Sequence, residues 1–372
     1  MAKIVLSGYY GFNNLGDEAI LYTIVRTLKE IDSTLEIVIL SGDPEKTRRE
    51  FNEEGINAVN RWSMLETFRA ISQCDLFISG GGSLLQDVSS SNGILYYLGL
   101  LWLVRLLDKP VLIYAQGIGP VVKPRNKRLV SWILNGVNKI TVRDHDSKED
   151  LIKLGIQQEI TVTADPVFCL YKHKVKEKVA EEIFARYGIS KQESGKLLGI
   201  SIRPWHKNGY LPPLGEALRQ MAEGGWKLVF VPMQFPADIT IARELAHLLR
   251  DYDPVVLKEK FSPLEVFSLT SQFDILLGMR LHSLILAAVT GVPMVGLSYD
   301  PKIDRFLRQI GQVALFSTEH LDAQRLVEML IWTDEHRTDM LKGIEARTQV
   351  LYQKAWQTAR IAMSMVEGSS GK

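Results

Sequence analysis

An arginine and a histidine two positions apart, Arg280 and His282, begin an otherwise apolar segment. Residues 273–278 are typical of a short apolar strand that ends in glycine. The residues that follow the Arg-His pair are typical of a buried helix. In an open parallel sheet such turns form the ligand crevice, where helix amides favour an anion. The turn therefore predicts a site for an anionic substrate. The alternative is structural: Arg280 pairs with Asp274, and His282 caps the helix.

Two more arginines follow predicted strands in the same way. Arg143 comes after the strand at residues 139–142, and Arg203 after the strand at residues 197–202. A guanidinium group matches a carboxylate or a phosphate through two parallel hydrogen bonds. Three such groups near one crevice predict a substrate with more than one anionic group.

The loop after the first strand occupies the position of a dinucleotide-binding fingerprint but lacks the G-x-G-x-x-G spacing. Asn13 and Asn14 offer amide donors and acceptors, Gly16 permits a close backbone approach, and Asp17 begins the helix. This set suits sugar hydroxyls better than a pyrophosphate. The alternative is that Asn14 and Asp17 only cap the helix.

A second loop, residues 79–87, combines three consecutive glycines with a carboxylate. The backbone at Gly81 and Gly82 can bind an oxyanion or make room for a sugar ring. Asp87 would accept a proton from an attacking hydroxyl, and the alternative for it is an ordinary surface helix residue. Gln116 follows the next strand and faces the same predicted edge.

Composition and charge exclude several classes of protein. Because 44 Lys and Arg residues balance 43 Asp and Glu residues to a net charge of +1, nucleic acid is not expected as a partner. Two cysteines, Cys74 and Cys169, are too few for a disulfide framework or a cysteine zinc site. No HExxH, calcium-loop, P-loop or G-x-S-x-G pattern occurs, so we expect neither a metal nor a bound cofactor. The N-terminal apolar run is too short for a signal peptide, which predicts a cytoplasmic protein.

The longest apolar segment, residues 94–107, is too short to span a bilayer. Its length favours a buried helix. The alternative is a helix that faces the membrane surface, since the segment contains tyrosines, a tryptophan and an arginine.

Strand and helix patterns alternate along the chain, which predicts an α/β fold with parallel sheets. A charged run at residues 172–178 interrupts the alternation. We therefore predict two Rossmann-like domains facing a central cleft: an N-terminal domain over residues 1–171 and a C-terminal domain with terminal helices over residues 172–366. Residues 367–372 are expected to form a disordered tail.

Taken in order, the loop motifs resemble those of the polysaccharide pyruvyl transferase family, and the resemblance covers residues 3 to about 350. The motifs that carry it are residues 11–19, residues 80–87, residues 116–120, Arg143-Asp144 and Arg280-Leu281-His282. Within the family the chain is most similar to bacterial enzymes that pyruvylate N-acetylmannosamine in the secondary cell-wall polymer to which surface-layer proteins are anchored.

The resemblance implies a fold like that of the GT-B glycosyltransferases and transfer of pyruvate from phosphoenolpyruvate to two sugar hydroxyls as a ketal. The acceptor would be a lipid-linked oligosaccharide containing N-acetylmannosamine, met at the inner face of the cell membrane. Oligomeric state is left open.

The same resemblance implies that the N-terminal domain binds the acceptor and the C-terminal domain the donor, and it assigns roles to the candidate residues. His282 would protonate the donor, with Asp87 and Arg280 also in the catalytic set. The implied donor-binding residues are Arg280, Leu281, His282, Ser283, Arg203 and Arg143. The implied acceptor-binding residues are Asn14, Asp17, Gly81, Gly82 and Gln116.

Two other functions fit parts of the pattern. A nucleotide-sugar glycosyltransferase would use the same two domains, with Glu319 or Asp300 for the ribose hydroxyls. A sugar-binding or scaffold protein would need no chemistry, but it would leave Arg280 and His282 without a use.

Overall fold

The computed structural model describes residues 2–52, 56–88, 91–173, 175–190, 195–312 and 316–369. The chain divides into two compact units. Unit 1 comprises Met1–Phe12, Asp17–Cys169 and Leu351–Lys372, and unit 2 comprises Asn13–Gly16 and Leu170–Val350.

Within the described residues, unit 1 contains a seven-stranded parallel sheet of order β3-β2-β1-β4-β5-β6-β7. The strands are β1 (Lys3–Ser7), β2 (Glu36–Ser41), β3 (Asn57–Asn60), β4 (Leu76–Ser79), β5 (Val111–Gln116), β6 (Lys139–Val142) and β7 (Ile160–Val162). The helices of this half are α1 (Leu15–Ile31), α2 (Pro44–Glu50), α3 (Met64–Ser72), α4 (Ser91–Leu106), α5 (Pro124–Leu134) and α6 (His145–Lys153). The order changes direction between β1 and β4, so the loops after these two strands meet at the carboxyl edge of the sheet, where α/β proteins bind ligands.

The described part of unit 2 has a six-stranded parallel sheet of order β10-β9-β8-β11-β12-β13. Its strands are β8 (Lys196–Ser201), β9 (Trp226–Phe230), β10 (Val255–Val256), β11 (Ile275–Gly278), β12 (Met294–Ser298) and β13 (Phe316–Ser317). The helices of this half of the chain are α7 (Glu177–Arg186), α8 (Leu211–Glu223), α9 (Ala237–Leu248), α10 (Pro263–Thr270), α11 (Leu281–Thr290), α12 (Pro301–Gln309), α13 (Ala323–Glu335) and α14 (Arg337–Ser369), of which α14 passes from unit 2 into unit 1 after Val350. In register, Gly278 lies between Ser201 and Gly296, so β8, β11 and β12 end side by side.

The α/β fold with two parallel sheets is as predicted, and its cause is local. The central strands β4, β5 and β11 are buried along their whole length, and they are mostly apolar because helices cover both faces of a parallel sheet. Helix starts carry the expected caps: Ser63 accepts from the amide of Glu66, and Asp144 from the amide of Ser147.

The division into units differs from the predicted boundaries in two segments. Asn13–Gly16 groups with unit 2, because the amide of Leu15 donates to the carbonyl of Met233 at 2.8 Å and the amide of Phe235 to Asn13 at 3.1 Å. Leu351–Lys372 groups with unit 1. Of the tail expected to be disordered, residues 367–369 continue α14, and residues 370–372 lie outside the described residues.

Among the described residues, no helix combines the length and the apolar character needed to cross a bilayer.

A buried carboxyl group stands at the start of α1. Glu18 is 5% exposed, and its Oε1 accepts a hydrogen bond from the amide of Gly11 at 2.9 Å. Burial raises the pKa of Glu18 to about 7, although Lys46 and the Gly11 amide oppose the shift. The folded chain therefore holds a proton on Glu18 that the unfolded chain releases near its ordinary pKa of 4.5.

This difference makes stability depend on pH. Between pH 4.5 and about 7 the native state binds the extra proton, so the contribution of Glu18 to the free energy of unfolding falls as pH rises and is lost above pH 7. We expect Glu18→Gln, which keeps an acceptor for Gly11 without the charge, to be more stable than the parent above pH 7 by on the order of 1 to 3 kcal/mol, with the difference vanishing near pH 4.5. Urea unfolding at a series of pH values measures this. Glu30→Gln, at an exposed position of the same helix, is the control, and a pH-independent difference for Glu18→Gln would contradict the assignment.

Candidate functional site

The turn between β11 and α11 is organised by a buried ion pair. Arg280 is the N-cap residue of α11, and its guanidinium lies against the carboxylate of Asp238 in the first turn of α9. Its Nε donates to Oδ2 at 2.9 Å, and its Nη2 donates to Oδ1. The side chains are 11% and 0% exposed, so the pair is bidentate and almost free of solvent.

Asp238 also orders the loop after β9. Its Oδ2 accepts from the amides of Met233 at 3.1 Å and Gln234 at 2.9 Å. The expected alternative, in which Arg280 pairs with Asp274, is therefore wrong. Asp274 instead pairs with Arg337 at 2.9 Å and accepts from the amide of Leu197. Sequence reasoning missed Asp238, because no spacing connects residues 238 and 280.

The ion pair leaves one end of the guanidinium available. Nε and Nη2 of Arg280 face Asp238, whereas Nη1 donates to no other described residue. The turn also lies at the N-terminus of α11, where the helix dipole favours an anion, although the amides of Ser283 and Leu284 already donate to the carbonyl of Arg280 at 3.0 and 3.3 Å. Arg280 can therefore present a fixed cation to an anion at this helix start.

His282 lies one residue inside α11, so it is not the N-cap that the alternative required. Its ring rests against Gly16: a Cβ at position 16 would be 2.2 Å from Nδ1. The close approach predicted for Gly16 is thus made by an imidazole. Asn14 orders the same loop, since its Oδ1 accepts from the amide of Gly16 at 3.1 Å.

Arg203 lies just beyond the end of the adjacent strand β8. Its Nη1 donates to the hydroxyl of Tyr299 at 2.8 Å, and the Tyr299 and Trp205 rings lie 4.7 and 5.3 Å from its Cζ. Burial raises the pKa of Tyr210, Asp238 raises it further, and both Arg203 and Arg280 act to lower it. The Tyr210 hydroxyl, which donates to the Arg203 carbonyl at 2.5 Å, therefore lies within the field of both arginines.

The two residues beside the Arg-His pair are buried. Leu281 is 6% and Ser283 3% exposed, and the Ser283 hydroxyl donates to the carbonyl of Arg280 at 2.6 Å. Both stabilise the helix start, and the implied donor-binding role of each stays a prediction.

The two acidic residues that the glycosyltransferase alternative assigns to ribose hydroxyls lie outside the Arg280 turn. Asp300 caps α12 and pairs with Lys302 at 3.2 Å, and Glu319 is exposed.

Arg143 of unit 1 has a different environment from Arg203 and Arg280. It is 6% exposed and lies 3.3 Å from Asp165, 3.5 Å from Asp144 and 3.2 Å from the hydroxyl of Ser83. Its guanidinium also covers Gly117, where a Cβ would come within 2.4 Å. Two carboxylates already balance the charge, so the geometry favours an organising role over the donor-binding role implied by resemblance.

Asp87 is buried in a loop and is not the surface helix residue of the alternative interpretation. Its oxygens accept from the amides of Val122 at 2.7 Å and Lys123 at 3.0 Å and from the side chain of Asn126 at 2.9 Å. Burial raises its pKa, but these hydrogen bonds lower it by more and leave it below the ordinary value. Asp87 therefore holds the start of α5, and its low pKa weighs against the expected proton acceptor.

The glycine loop after β4 is packed by protein atoms. A Cβ at Gly81 would meet Ile20 at 3.0 Å, and one at Gly82, whose φ is +95°, would meet Asp17 at 3.0 Å. Gln116 is fully buried and donates to Ser79 and Gly80. Of the implied acceptor residues in unit 1, Asp17 and Gly82 thus lie together, and Gln116 supports them from beneath.

A buried cation near this loop was not predicted. Arg61 is 5% exposed, and its Nη1 donates to the carbonyl of Gly8 at 2.7 Å. No described acidic side chain forms an ion pair with it. Instead its Cζ lies 4.2 to 5.4 Å from the ring centres of Phe12, Trp62, Tyr96 and Tyr97. Cation–π contacts compensate this charge, and no local sequence pattern brings these rings together.

The Asp238–Arg280 pair should be strongly coupled. Removing one partner leaves the other charge buried and unpaired, so Asp238→Asn should lower the free energy of unfolding by about 3 kcal/mol or more. The double variant Asp238→Leu with Arg280→Met should lose less than the sum of its single changes. Urea unfolding across the cycle tests this, with Asp253→Asn at the exposed Lys227 pair as a control expected to change stability by less than about 1 kcal/mol. Additive losses would show that the two side chains act independently.

Comparison with solved structures shows the fold. The chain superimposes on UDP-bound MnaA of S. aureus (TM-score 0.67, 13% identity, 97% of this chain and 95% of that chain). UDP-GlcNAc 2-epimerase of Neisseria meningitidis bound to UDP-GlcNAc is similar, with a TM-score of 0.65, 15% identity and coverage of 99% of this chain and 100% of that chain. Anabaena Alr3699/HepE with UDP-glucose has a TM-score of 0.66, 13% identity and coverage of 100% of both chains. These similarities confirm the expected GT-B-like α/β fold, and at such low sequence identities they say nothing about the function of this chain.

Sequence comparison shows the family. Amylovoran biosynthesis protein AmsJ of Erwinia amylovora is 25% identical over 275 residues, a match that covers 69% of this chain but only 64% of that protein. Residues 14–301 match the profile of the polysaccharide pyruvyl transferases, and this span includes the Asp238–Arg280 pair, His282, Arg203 and Asn14. The chain therefore belongs to the polysaccharide pyruvyl transferase family.

Proposed function

We propose that this protein transfers the pyruvyl group of phosphoenolpyruvate to an N-acetylmannosamine residue of a lipid-linked secondary cell-wall polymer precursor. The product is a 4,6-linked ketal, and phosphate is released. The observation that carries the proposal is the β11–α11 turn, where Arg280 is fixed by Asp238 beside His282 and a helix N-terminus.

The chemistry of the donor matches this turn. Phosphoenolpyruvate carries a carboxylate and a phosphate, and unit 2 has two arginines near Tyr210 at the ends of the adjacent strands β8 and β11. Asp238 already holds two donors of Arg280, so Arg280 would bind one anionic group through Nη1. Arg203 would bind the other, steadied by Tyr299.

In the proposed reaction, the His282 imidazolium donates a proton to the methylene carbon of the donor, and positive charge develops at the adjacent carbon. A sugar hydroxyl attacks that carbon, phosphate leaves, and the second hydroxyl closes the ketal. The protons balance, because one of the two hydroxyl protons ends on the new methyl group and the other on the phosphate. The packing of His282 on Gly16 would keep the ring in place during the transfer.

The first loop offers the polar side chains proposed for the acceptor. Asn14 lies in the same turn as Gly16 in unit 2, and we propose that its amide binds a sugar hydroxyl. Asp17, which lies over Gly82 in unit 1, keeps its proposed role with an acceptor hydroxyl as a separate assignment, and we propose that no metal or bound cofactor takes part. Asp87 is left out of the proposed chemistry, since its carboxylate is held by three donors.

Replacement of the proposed acid tests the mechanism. His282→Ala should lower kcat for phosphate release from phosphoenolpyruvate, with an N-acetylmannosamine acceptor, by at least about a hundredfold. The exposed His247→Ala on α9 is the matched control and should keep full activity. Full activity in folded His282→Ala would remove His282 from the mechanism, and turnover of a nucleotide sugar with phosphoenolpyruvate untouched would contradict the proposed function.

Replacement of Arg280 tests donor binding. Arg280→Lys keeps the positive charge but loses the planar guanidinium that makes two parallel hydrogen bonds, so it should raise KM for phosphoenolpyruvate more than it lowers kcat.

A methyl group at Gly16 tests the position of the imidazole. Gly16→Ala should fold, since the backbone there does not need a positive φ, but the new Cβ would force the His282 ring to move. We expect kcat to fall at least about tenfold, because a misplaced catalytic group loses much of its effect. Gly99→Ala, also helical but with open space around it, is the control and should leave kcat unchanged. Unchanged kcat in Gly16→Ala would show that this contact does not position the acid.

A further inference from the structure

The outward side of helices α3, α4 and α5 in unit 1 carries large apolar side chains in solvent. On α3, Met64 is 79% and Leu65 69% exposed. On α4, Trp102 is 48% and Leu106 65% exposed, and on α5 Trp132 is 57% exposed. We call this surface the α3–α5 face.

The three helices lie side by side on one face of the sheet. Residues from all of them contribute to one hydrophobic cluster over β1, β2 and β4–β6. Arg105 of α4 donates to the carbonyl of Trp132 at 3.2 Å, and its Cζ lies 5.6 Å from the Trp132 ring. The Trp62 ring, just before α3, lies 5.4 Å from the Tyr96 ring of α4. These contacts connect α4 to the exposed Trp132 of α5 and to Trp62 just before α3.

Helix α4 is apolar on both sides. Its inner side is buried in the cluster through residues such as Ile94, Leu101 and Val104. Its outer side presents Trp102 and Leu106 to solvent. A surface helix normally has a polar outer face, so the exposed apolar side chains of α4 indicate that this side of the helix binds another apolar surface. The helix predicted to be buried is thus buried on its inner side and exposed on its outer side.

Positive charge lies on the same helix as the exposed Trp132. The start of α5 carries an exposed basic cluster, made of Lys123, Arg125, Lys127 and Arg128. No acidic residue stands in that first turn, although the helix dipole favours acidic residues there. The whole chain carries a net charge of only +1, so this cluster is a local excess.

We propose that the α3–α5 face binds the surface of a bilayer containing anionic phospholipids. Exposed tryptophan and leucine side chains enter the boundary between headgroups and acyl chains, and a basic cluster beside them attracts the anionic headgroups. A second protein copy would bury the apolar residues equally well but would gain little from four clustered cations. Binding is peripheral, and it goes beyond the transfer reaction, since neither phosphoenolpyruvate nor a sugar takes part.

Vesicle sedimentation of the full chain tests the proposal. Wild-type protein should sediment with vesicles of phosphatidylcholine and phosphatidylglycerol, much less with phosphatidylcholine alone, and less as salt rises. Trp102→Ser with Leu106→Ser should weaken binding at least about tenfold, as should Lys127→Glu with Arg128→Glu. These positions are exposed, so the variants should fold, which circular dichroism checks.

Matched controls change the same chemistry elsewhere. Leu248→Ser, at a 64% exposed position of α9, and Lys258→Glu with Lys260→Glu should bind like wild type. Equal binding by the face variants, or no binding of wild type at low salt, would overturn the proposal. Light scattering tests whether a second copy of the chain occupies the face instead. If the wild-type protein is a dimer that does not bind vesicles, and Trp102→Ser with Leu106→Ser makes it a monomer, the face is a dimer interface and the membrane proposal is overturned. None of these measurements uses catalysis, so failure here leaves the proposed function intact.

Discussion

The bidentate contact between Asp238 and Arg280 is the interaction on which the geometry of unit 2 depends. Asp238 is 1% exposed, and a carboxylate so deeply buried is stable only when it is paired and hydrogen-bonded. The arginine supplies the pairing, and the amides of Met233 and Gln234 supply the remaining hydrogen bonds. The loop after β9 is thereby held, and its backbone in turn binds the Asn13–Gly16 segment that packs against His282. A single charge pair thus orders three loops.

Arginines at equivalent strand ends have different uses, and the neighbouring acids decide which. Arg143 lies near two carboxylates and packs against Gly117, so its donors are engaged by protein. Arg280 has one carboxylate, which leaves part of its fork available, and Arg203 is held by aromatic rings and a phenol. A cation that retains an unengaged donor can bind a substrate anion, whereas one already neutralised mainly orders its surroundings. Position in the topology is therefore a weaker guide to function than local charge balance.

Helix α4 shows that the composition of a segment does not by itself predict how fully it is buried. An apolar run of this length is usually core, and the inner side of α4 is part of the core. Trp102 and Leu106 are exposed because the sheet covers only one side of the helix, and the described residues leave these two side chains in solvent. Hydropathy alone does not distinguish a helix buried on all sides from one that is apolar on a side open to solvent.

By itself the sequence determined the α/β class, the positions of most central strands, the strand-end location of Arg203 and Arg280, and the helix that follows Arg280. These depend on apolar runs, glycine and capping residues within a few positions of one another, so local patterns suffice. Tertiary structure alone decided that Asp238 rather than Asp274 pairs with Arg280, that Gly16 supports His282, that Asp87 holds α5, and that Arg61 lies among four aromatic rings. Each of these contacts joins segments far apart in the chain. Which of several chemically equivalent partners a buried charge meets depends on the packing of the sheet and its loops, and no spacing in the sequence records that choice.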